Sequence, residues 1–464
     1  MKKLFIKTYG CQMNFYDSDK IGNLLKKLGY GFTNDLAEAN LIVLNTCHIR
    51  DKAVEKTFSD LGRIKKTIET NQNHAQKPII VVAGCVAQAQ GEEILKRSPW
   101  VDIVVGPQAY TELPKLIYKA NKIEKKRLIN LDFPTIPKFD FLDHSLIEQK
   151  RSAFLTIQEG CDKFCSFCVV PYTRGPEFSR STESILEEVK FLVEKGVKEV
   201  ILLGQNVNAW KYKSKRGKNW SFGNLIEEIA KFENIFSIKY TTSHPLDMDM
   251  ELIKAHKNIK KLMPYLHLPI QSGSDNILKK MNRKHSVKEY LKIIEKVREF
   301  RPDIAVSSDF IVGFPGESNI DHENTIRLID EVKFSSSYSF MYSPRPGTPS
   351  AQSSDQVDEN IKKERLHQIQ ELLKKHQLKF NEEKVNNKMN ILISEKNKKN
   401  QFFGKSPYNQ TVIIKNILNS KFNKENENHK NEICYVGKIK NVKIIQAFQN
   451  SLEGLIISEN KLRN

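Results

Sequence analysis

The sequence has no run of about 18 or more consecutive apolar residues, so no segment is expected to cross a bilayer as a helix. Acidic residues are the scarcer charge. Only 55 Asp and Glu stand against 74 Lys and Arg in 464 residues, a formal charge of +19. Such an excess speaks of partners rather than of fold, and nucleic acid is the commonest partner. A Lys-rich solvated surface would give the same balance, so charge alone leaves both readings open. Cysteine is sparse and odd in number, with seven in the chain. The apolar run at the start, Leu4-Phe5-Ile6, is cut short by Lys7 and Gly10, too soon for a secretory signal. A disulfide framework is therefore not expected, metal or redox use of the thiols is, and the chain reads as a cytoplasmic protein.

At this length the chain should divide into two to four domains. In the first 150 residues, strand-like apolar runs at 3–9, 40–46, 78–84 and 101–106 alternate with helical periodicity. One example is 19–28, where Ile21, Leu24, Leu25 and Leu28 share a face. That alternation predicts an open, mainly parallel α/β sheet over 1–125, followed by a Pro-containing linker over 126–150. Cys11, Cys47 and Cys85 each follow one of the first three strands, among turn-formers such as Gly10 and Gly84. The carboxyl ends of parallel strands lie on one edge, so these three thiols can converge as a metal site. The other reading is three small buried side chains, which free cysteines often are.

From 151 to 381 the pattern is again strand then helix, with strands expected at 154–158, 199–204, 237–241, 265–269, 305–312 and 337–342. Six such units predict a partial (β/α)6 barrel, whose site lies at the strand carboxyl ends. Immediately after the first of them comes Gly160-Cys161-Asp162-Lys163-Phe164-Cys165-Ser166-Phe167-Cys168. Three thiolates at this spacing can hold three corners of an iron–sulfur cubane, which normally takes four. The other strand exits are polar and Gly-rich, as in Gly204-Gln205-Asn206, Gln271-Ser272-Gly273 and the run from Asp309 to Gly313. Glycine there permits close backbone approach to a ligand. After a helix with an apolar stripe at 359–383, short β-type runs at 389–394, 411–414, 435–447 and 455–457 predict a small β-barrel over 382–450, then a tail at 451–464. Residues 382–464 hold 15 Lys and Arg against 8 Asp and Glu, so a phosphate-gripping role fits. Residues 421–432 are expected to be a loop, and Cys434 a stray thiol outside both triplets.

The Cys161–Cys165–Cys168 motif on a partial barrel resembles the radical S-adenosylmethionine enzymes. Further motifs are similar to the methylthiotransferases within that superfamily: Tyr9-Gly10-Cys11-Gln12-Met13-Asn14, Asn45-Thr46-Cys47-His48 and Gly84-Cys85. Pro171-Tyr172-Thr173-Arg174-Gly175, Thr241-Thr242-Ser243-His244-Pro245 and the run from Ser307 to Glu317 resemble the branch acting on dimethylallyl-adenosine in tRNA. The resemblance spans roughly residues 3–350. It implies two [4Fe–4S] clusters, one on Cys161, Cys165 and Cys168 and an auxiliary one on Cys11, Cys47 and Cys85. S-adenosyl-L-methionine would sit on the open iron of the first, against Phe167, with Gln205, Asn206, Gln271, Asp309 and Gly313 as further cofactor contacts.

Arg174, Arg180 and Lys405 are the expected substrate contacts, and no residue is assigned as an acid or base. The small β-barrel resembles a TRAM domain, the radical-SAM core being the six-unit barrel. Implied partners are tRNA, through its anticodon stem-loop, and a low-potential electron donor; no membrane is involved, and a monomer is expected. Siblings that act on threonylcarbamoyl-adenosine in tRNA or on a ribosomal-protein aspartate are the nearest alternatives. A zinc-containing RNA-binding protein is the non-enzymatic one, although structural zinc asks for four ligands.

Overall fold

A computed structural model describes residues 2–48, 51–70, 77–122, 127–133, 151–399, 401–415 and 435–457. The chain forms two compact bodies, one of residues 1–220 with 343–352 and one of 221–342 with 353–464.

The first body opens with β1 (Lys2–Thr8), α1 (Gln12–Lys26), β2 (Tyr30–Phe32), β3 (Leu41–Thr46), α2 (Asp51–Thr70) and β4 (Ile79–Gly84). Then come α3 (Cys85–Gln90), α4 (Glu92–Arg97), β5 (Ile103–Val105), α5 (Leu113–Lys122) and β6 (Leu128–Asn130). The six strands make one sheet in the order β2-β1-β3-β4-β5-β6, and every neighbouring pair is parallel. Parallel sheets carry helices on both faces, so their strands read as unbroken apolar runs. Alternate residues obey this: Val43, Val81 and Ala83 enter one core, while Ile42, Leu44, Ile80 and Val82 enter the other.

The four expected strands are present, and two short edge strands join them. Leu128–Asn130 pairs with β5, so the sheet reaches into the stretch read as linker. Residues 134–150 of that stretch lie outside the described residues. Helix α1 also begins earlier than the Ile21 stripe indicated, directly after Cys11. Its first turns bury Asn14, Asp17 and Lys20, which carry no apolar signal.

The same body continues with β7 (Ser152–Thr156), β8 (Gln158–Glu159), α6 (Val170–Arg174), β9 (Phe178–Ser179), α7 (Thr182–Glu194), β10 (Glu199–Leu203), β11 (Tyr212–Lys213) and β12 (Asn219–Trp220). Strands β7 and β10 pair in parallel, and the cysteine triplet follows the first of them.

The second body contains α8 (Phe222–Ala230), β13 (Ser237–Tyr240), α9 (Met250–Asn258), β14 (Tyr265–His267), α10 (Asp275–Lys280), α11 (Val287–Phe300), β15 (Ala305–Val312), α12 (Asn319–Val332), β16 (Ser336–Met341) and α13 (Glu359–Glu382). Strands β14, β15 and β16 are parallel neighbours, and with β13 they are the strands of the remaining four of the six expected strand–helix units. Helix α13 packs on β15, β16 and α12.

The chain then forms a closed barrel from β17 (Lys388–Lys396), β18 (Phe402–Lys405), β19 (Thr411–Lys415), β20 (Ile439–Ala447) and β21 (Ser451–Ile456). Met389, Ile391 and Ile393 alternate into its core with Val412, Ile414, Val442 and Ile444. Residues 451–456 were expected to begin a tail. They are instead the strand that closes the barrel, pairing with both β19 and β20. Gly454 weakened the strand signal there, yet a Cβ at that position would collide with Val442 across the barrel. Residues 421–432 and Cys434 lie outside the described residues.

His256, fully buried on α9, shares a 2.6 Å hydrogen bond with the Tyr240 hydroxyl, and burial pushes its pKa down to about 3. The unfolded chain takes up this proton near the ordinary value of about 6.5. His256 therefore contributes stability above pH ~6.5 that is lost as pH falls toward ~3, at about 1.4 kcal/mol per unit. Denaturant melts across this range should show a shallower decline for His256→Gln than for the unsubstituted chain. Parallel declines would remove His256 from the acid sensitivity.

Candidate metal centres and the buried charges between them

The sheet brings the N-terminal thiols together through its register. Thr8 pairs with Asn45 and Thr46 with Gly84, so the three strands end side by side. Cys11 caps α1, Cys47 follows β3 directly, and Cys85 opens α3. Close approach needs glycine at two exits. Gly10 (φ +92°) lies so near Cys47 that a Cβ would overlap that side chain, and one on Gly84 (φ +91°) would meet the Thr46 carbonyl.

Two buried amides fasten the exits together. Asn14 Nδ2 donates to the carbonyls of Tyr9 (2.8 Å) and Thr46 (2.9 Å), and Asn45 Nδ2 donates to the Asn14 carbonyl (2.8 Å). The Cys11 and Cys47 sulfurs hydrogen-bond. That bond, opposed by burial and helped by the Arg174 charge, brings Cys11 down to about 6, while burial pushes Cys85 up. Arg345 lies within electrostatic reach of Cys47 and of His48; burial, then that arginine, lowers the His48 pKa.

The second triplet sits on a loop anchored along its length. Gly160 donates its N–H to Gln205 Oε1 (2.7 Å), and its carbonyl accepts from Gln158 Nε2 (2.7 Å). The Cys161 amide donates to the Gly175 carbonyl (3.2 Å), and the Cys168 amide to the Cys165 carbonyl (3.0 Å). Between the cysteines, the Ser166 carbonyl accepts from both the amide (3.0 Å) and the hydroxyl (2.9 Å) of Ser350. Burial raises the Cys161 thiol to about 11.

Six charged side chains, all within a few per cent of full burial, lie between these sites. Arg174 pairs with Asp17 (2.8 Å) and Glu159 (2.8 Å). Glu188 takes Arg180 (2.8 Å) and Lys20 (2.7 Å). Three cations thus face three carboxylates, the balance that buried ions require.

Arg174 and Arg180 were expected to touch substrate or cofactor, and here the structure differs. Arg174 also donates to Asn14 Oδ1 (3.0 Å). Arg180 donates to the Thr156 carbonyl (2.7 Å) and to Ser184 Oγ (2.9 Å), and both side chains are buried. Asp17 and Asn14 come from distant α1, whereas Glu188 and Ser184 lie on α7, directly after Arg180.

The other expected contacts divide between the bodies. In the first, Gln205 is committed to Gly160 and to the Met13 sulfur, Asn206 is buried with its amide on Gln158 Oε1 (3.0 Å), and Phe167 is half-buried. In the second, Gln271 has φ +82° and pairs its backbone with β15, and Asp309 stands 3.6 Å from His267. Gly313 does not present an open face to a ligand. Lys362 methylenes occupy the space a Cβ would take, and the Gly313 amide is held by Glu317 Oε2 (2.7 Å). Lys405 is exposed on β18, donating to Thr411 Oγ1 (3.0 Å). Asn14, Asp17, Asn45 and Glu159 were not singled out in the sequence. Asn14 closes the Tyr9–Asn14 motif and Asn45 opens the Asn45–His48 motif, whereas Asp17 and Glu159 show only by their partners.

The donor sets, three thiols each, suit iron–sulfur clusters, whose thiolates bind separate irons at separate corners.

Residues 155–329 match the model of the Radical SAM superfamily, and residues 3–106 that of Uncharacterized protein family UPF0004. Among solved structures, a radical S-adenosylmethionine methyltransferase, TsrM, from Kitasatospora setae superposes with a TM-score of 0.55. It is 13% identical, and the alignment covers 76% of this chain and 75% of that one. Curated relatives are nearer. The tRNA-2-methylthio-N(6)-dimethylallyladenosine synthases of Ehrlichia ruminantium (strain Gardel) and Rickettsia conorii are each 53% identical over 98% of this chain, spanning 99% and 100% of their own lengths. Fold and cysteine loop together define a radical S-adenosylmethionine enzyme, a class built on a [4Fe–4S] cluster and S-adenosylmethionine. Within it, the chain belongs to the tRNA-2-methylthio-N(6)-dimethylallyladenosine synthase family.

Removing Glu188 would leave Lys20 and Arg180 buried without their shared carboxylate. Glu188→Ala should cost about 3–5 kcal/mol of unfolding free energy, the usual effect of stranding a buried charge. Urea denaturation reads it, and a loss under about 1 kcal/mol would show that water reaches these cations.

Proposed function

We propose that the chain inserts sulfur at C2 of N6-(dimethylallyl)adenosine, at the nucleotide 3′ of the tRNA anticodon, and methylates it, each cysteine triplet serving one part of the chemistry. The observation that carries this reading is the pair of three-thiol sites within one body, each at strand exits and each one ligand short of a full cubane. When bound, a [4Fe–4S] cluster with S-adenosylmethionine supplies a radical able to break an unactivated C–H bond, and a second cluster supplies a place for the sulfur.

The residues divide accordingly. Cys161, Cys165 and Cys168 would hold the first group, with Phe167 beside the cofactor. Gln205 and Ser350 keep the loop in shape from either end. Cys11, Cys47 and Cys85 would hold the second, at an edge fastened by Asn14 and Asn45. No side chain needs to act as acid or base, because the C2 hydrogen is not acidic; S-adenosylmethionine would serve twice, as radical source and as methyl donor.

The base must leave its stack to be reached, which suits an anticodon loop. The basic C-terminal barrel, with Lys405 on its exposed side, suits phosphate contacts that give affinity without sequence readout. A low-potential electron donor, a monomeric state and a cytoplasmic setting complete the reading. No helix among the described residues is long and apolar enough to cross a membrane.

Nucleoside mass spectrometry of tRNA from a strain lacking the gene should show dimethylallyladenosine accumulating and its 2-methylthio form gone. An unchanged 2-methylthio peak would refute the substrate. In vitro, Cys85→Ala is expected to retain S-adenosylmethionine cleavage and lose sulfur insertion; loss of both would argue against separate roles.

A further inference from the structure

One side chain touches elements of both cysteine sites. Arg174 ends the short helix that follows Cys168, and its side chain is 2% exposed. Its guanidinium reaches Asp17 and Asn14 on the helix capped by Cys11, and Glu159 just before the Gly160-Cys161 turn; the Asn14 Oδ1 that it holds also accepts from the Cys11 thiol (3.8 Å). A guanidinium stays charged under all working conditions and presents its N–H groups in a rigid fork, so these partners fix its place. Gln108 holds the neighbouring backbone, donating to the Arg174 carbonyl (3.0 Å) and to Glu159 (3.2 Å).

Hydrogen bonds to sulfur and nearby net charge are among the main determinants of an iron–sulfur cluster's reduction potential. A cation against a thiolate ligand favours the reduced, more negative state, and a carboxylate opposes it.

We infer that Arg174 is a positioning residue for the sulfur-inserting reaction: its charge, held beside the N-terminal triplet by Asn14 and trimmed by Asp17, raises the reduction potential of the group that triplet holds. This rests on the reading of Cys11, Cys47 and Cys85 as cluster ligands. It assigns Arg174 a role toward the auxiliary site in place of the substrate contact its motif suggested.

The test uses the full chain with Cys161, Cys165 and Cys168 replaced by alanine, so that one cluster is read. Iron and sulfide content come first, then the reduction potential by electron paramagnetic resonance at stepped solution potentials. Arg174→Gln should move the potential negative and Asp17→Asn should move it positive. Arg174→Lys, which keeps the charge, should stay nearer the parent than Arg174→Gln. A merely structural role predicts no opposed pair of shifts. If Arg174→Gln fails to hold iron, Asp17→Asn and Arg174→Lys still decide. A positive shift in the former with little change in the latter supports the inference, and any other pattern overturns it. Absence of iron from the parent would overturn the cluster reading and this inference with it, whereas iron present with unshifted potentials overturns this inference alone.

Discussion

Burying a charge without a counter-ion costs several kcal/mol, and the first body buries six charged groups in one layer. Asp17, Arg174 and Glu159 form one set, and Lys20, Glu188 and Arg180 the other. Each carboxylate comes from a different part of the chain, on α1, β8 and α7. Satisfying them forces the first turns of α1 against the strands that lead into the Cys161 loop. The relation of the two thiol sites is thus set by pairing rules stricter than apolar packing, which tolerates sliding. Few apolar residues share this layer: Met13, Tyr16 and Leu203 form a small cluster beside it.

Around that layer, each site is held by a different device. The N-terminal thiols depend on strand register and on glycines that let neighbouring exits touch, with Asn14 and Asn45 supplying the bonds that water would otherwise make. The Cys161–Cys168 loop depends on backbone contacts from Gln205, Gly175 and Ser350. Rigid supports of this kind leave thiolates in place before any cluster arrives, so binding need not order the chain at the same time. Arg345, carried on the stretch that ends in Ser350, comes near Cys47 and links the loop's support to the other site.

Much of this was legible in the sequence because the chemistry sits at strand exits. Parallel strands announce themselves as apolar runs, and the cysteines follow them with glycine or turn-formers alongside. Leu128–Asn130 and Phe402–Lys405 escaped because three or four residues carry little periodicity. Only the end of Ser451–Ile456 stood out as a β-type run, at 455–457, because Gly454 interrupts the apolar pattern, although the barrel interior leaves no room for a side chain there. Arg174 and Arg180 are harder to read. An arginine near a cofactor motif looks free until its carboxylates are found: Asp17 lies far away in the chain, and Glu188, on the helix that follows Arg180, looks like an ordinary helical glutamate. Gly313 repeats the lesson, since its open side is filled by Lys362 from a helix with no visible connection to it.

The central claim is that two independent thiol triplets each carry a four-iron cluster. Iron and acid-labile sulfide, measured on anaerobically purified chain and on variants lacking one triplet or the other, test it most directly. About eight irons per chain are expected, falling to about four when either triplet is replaced, with matching sulfide. Iron near zero with stoichiometric zinc, or loss of all iron on removing one triplet, would contradict it.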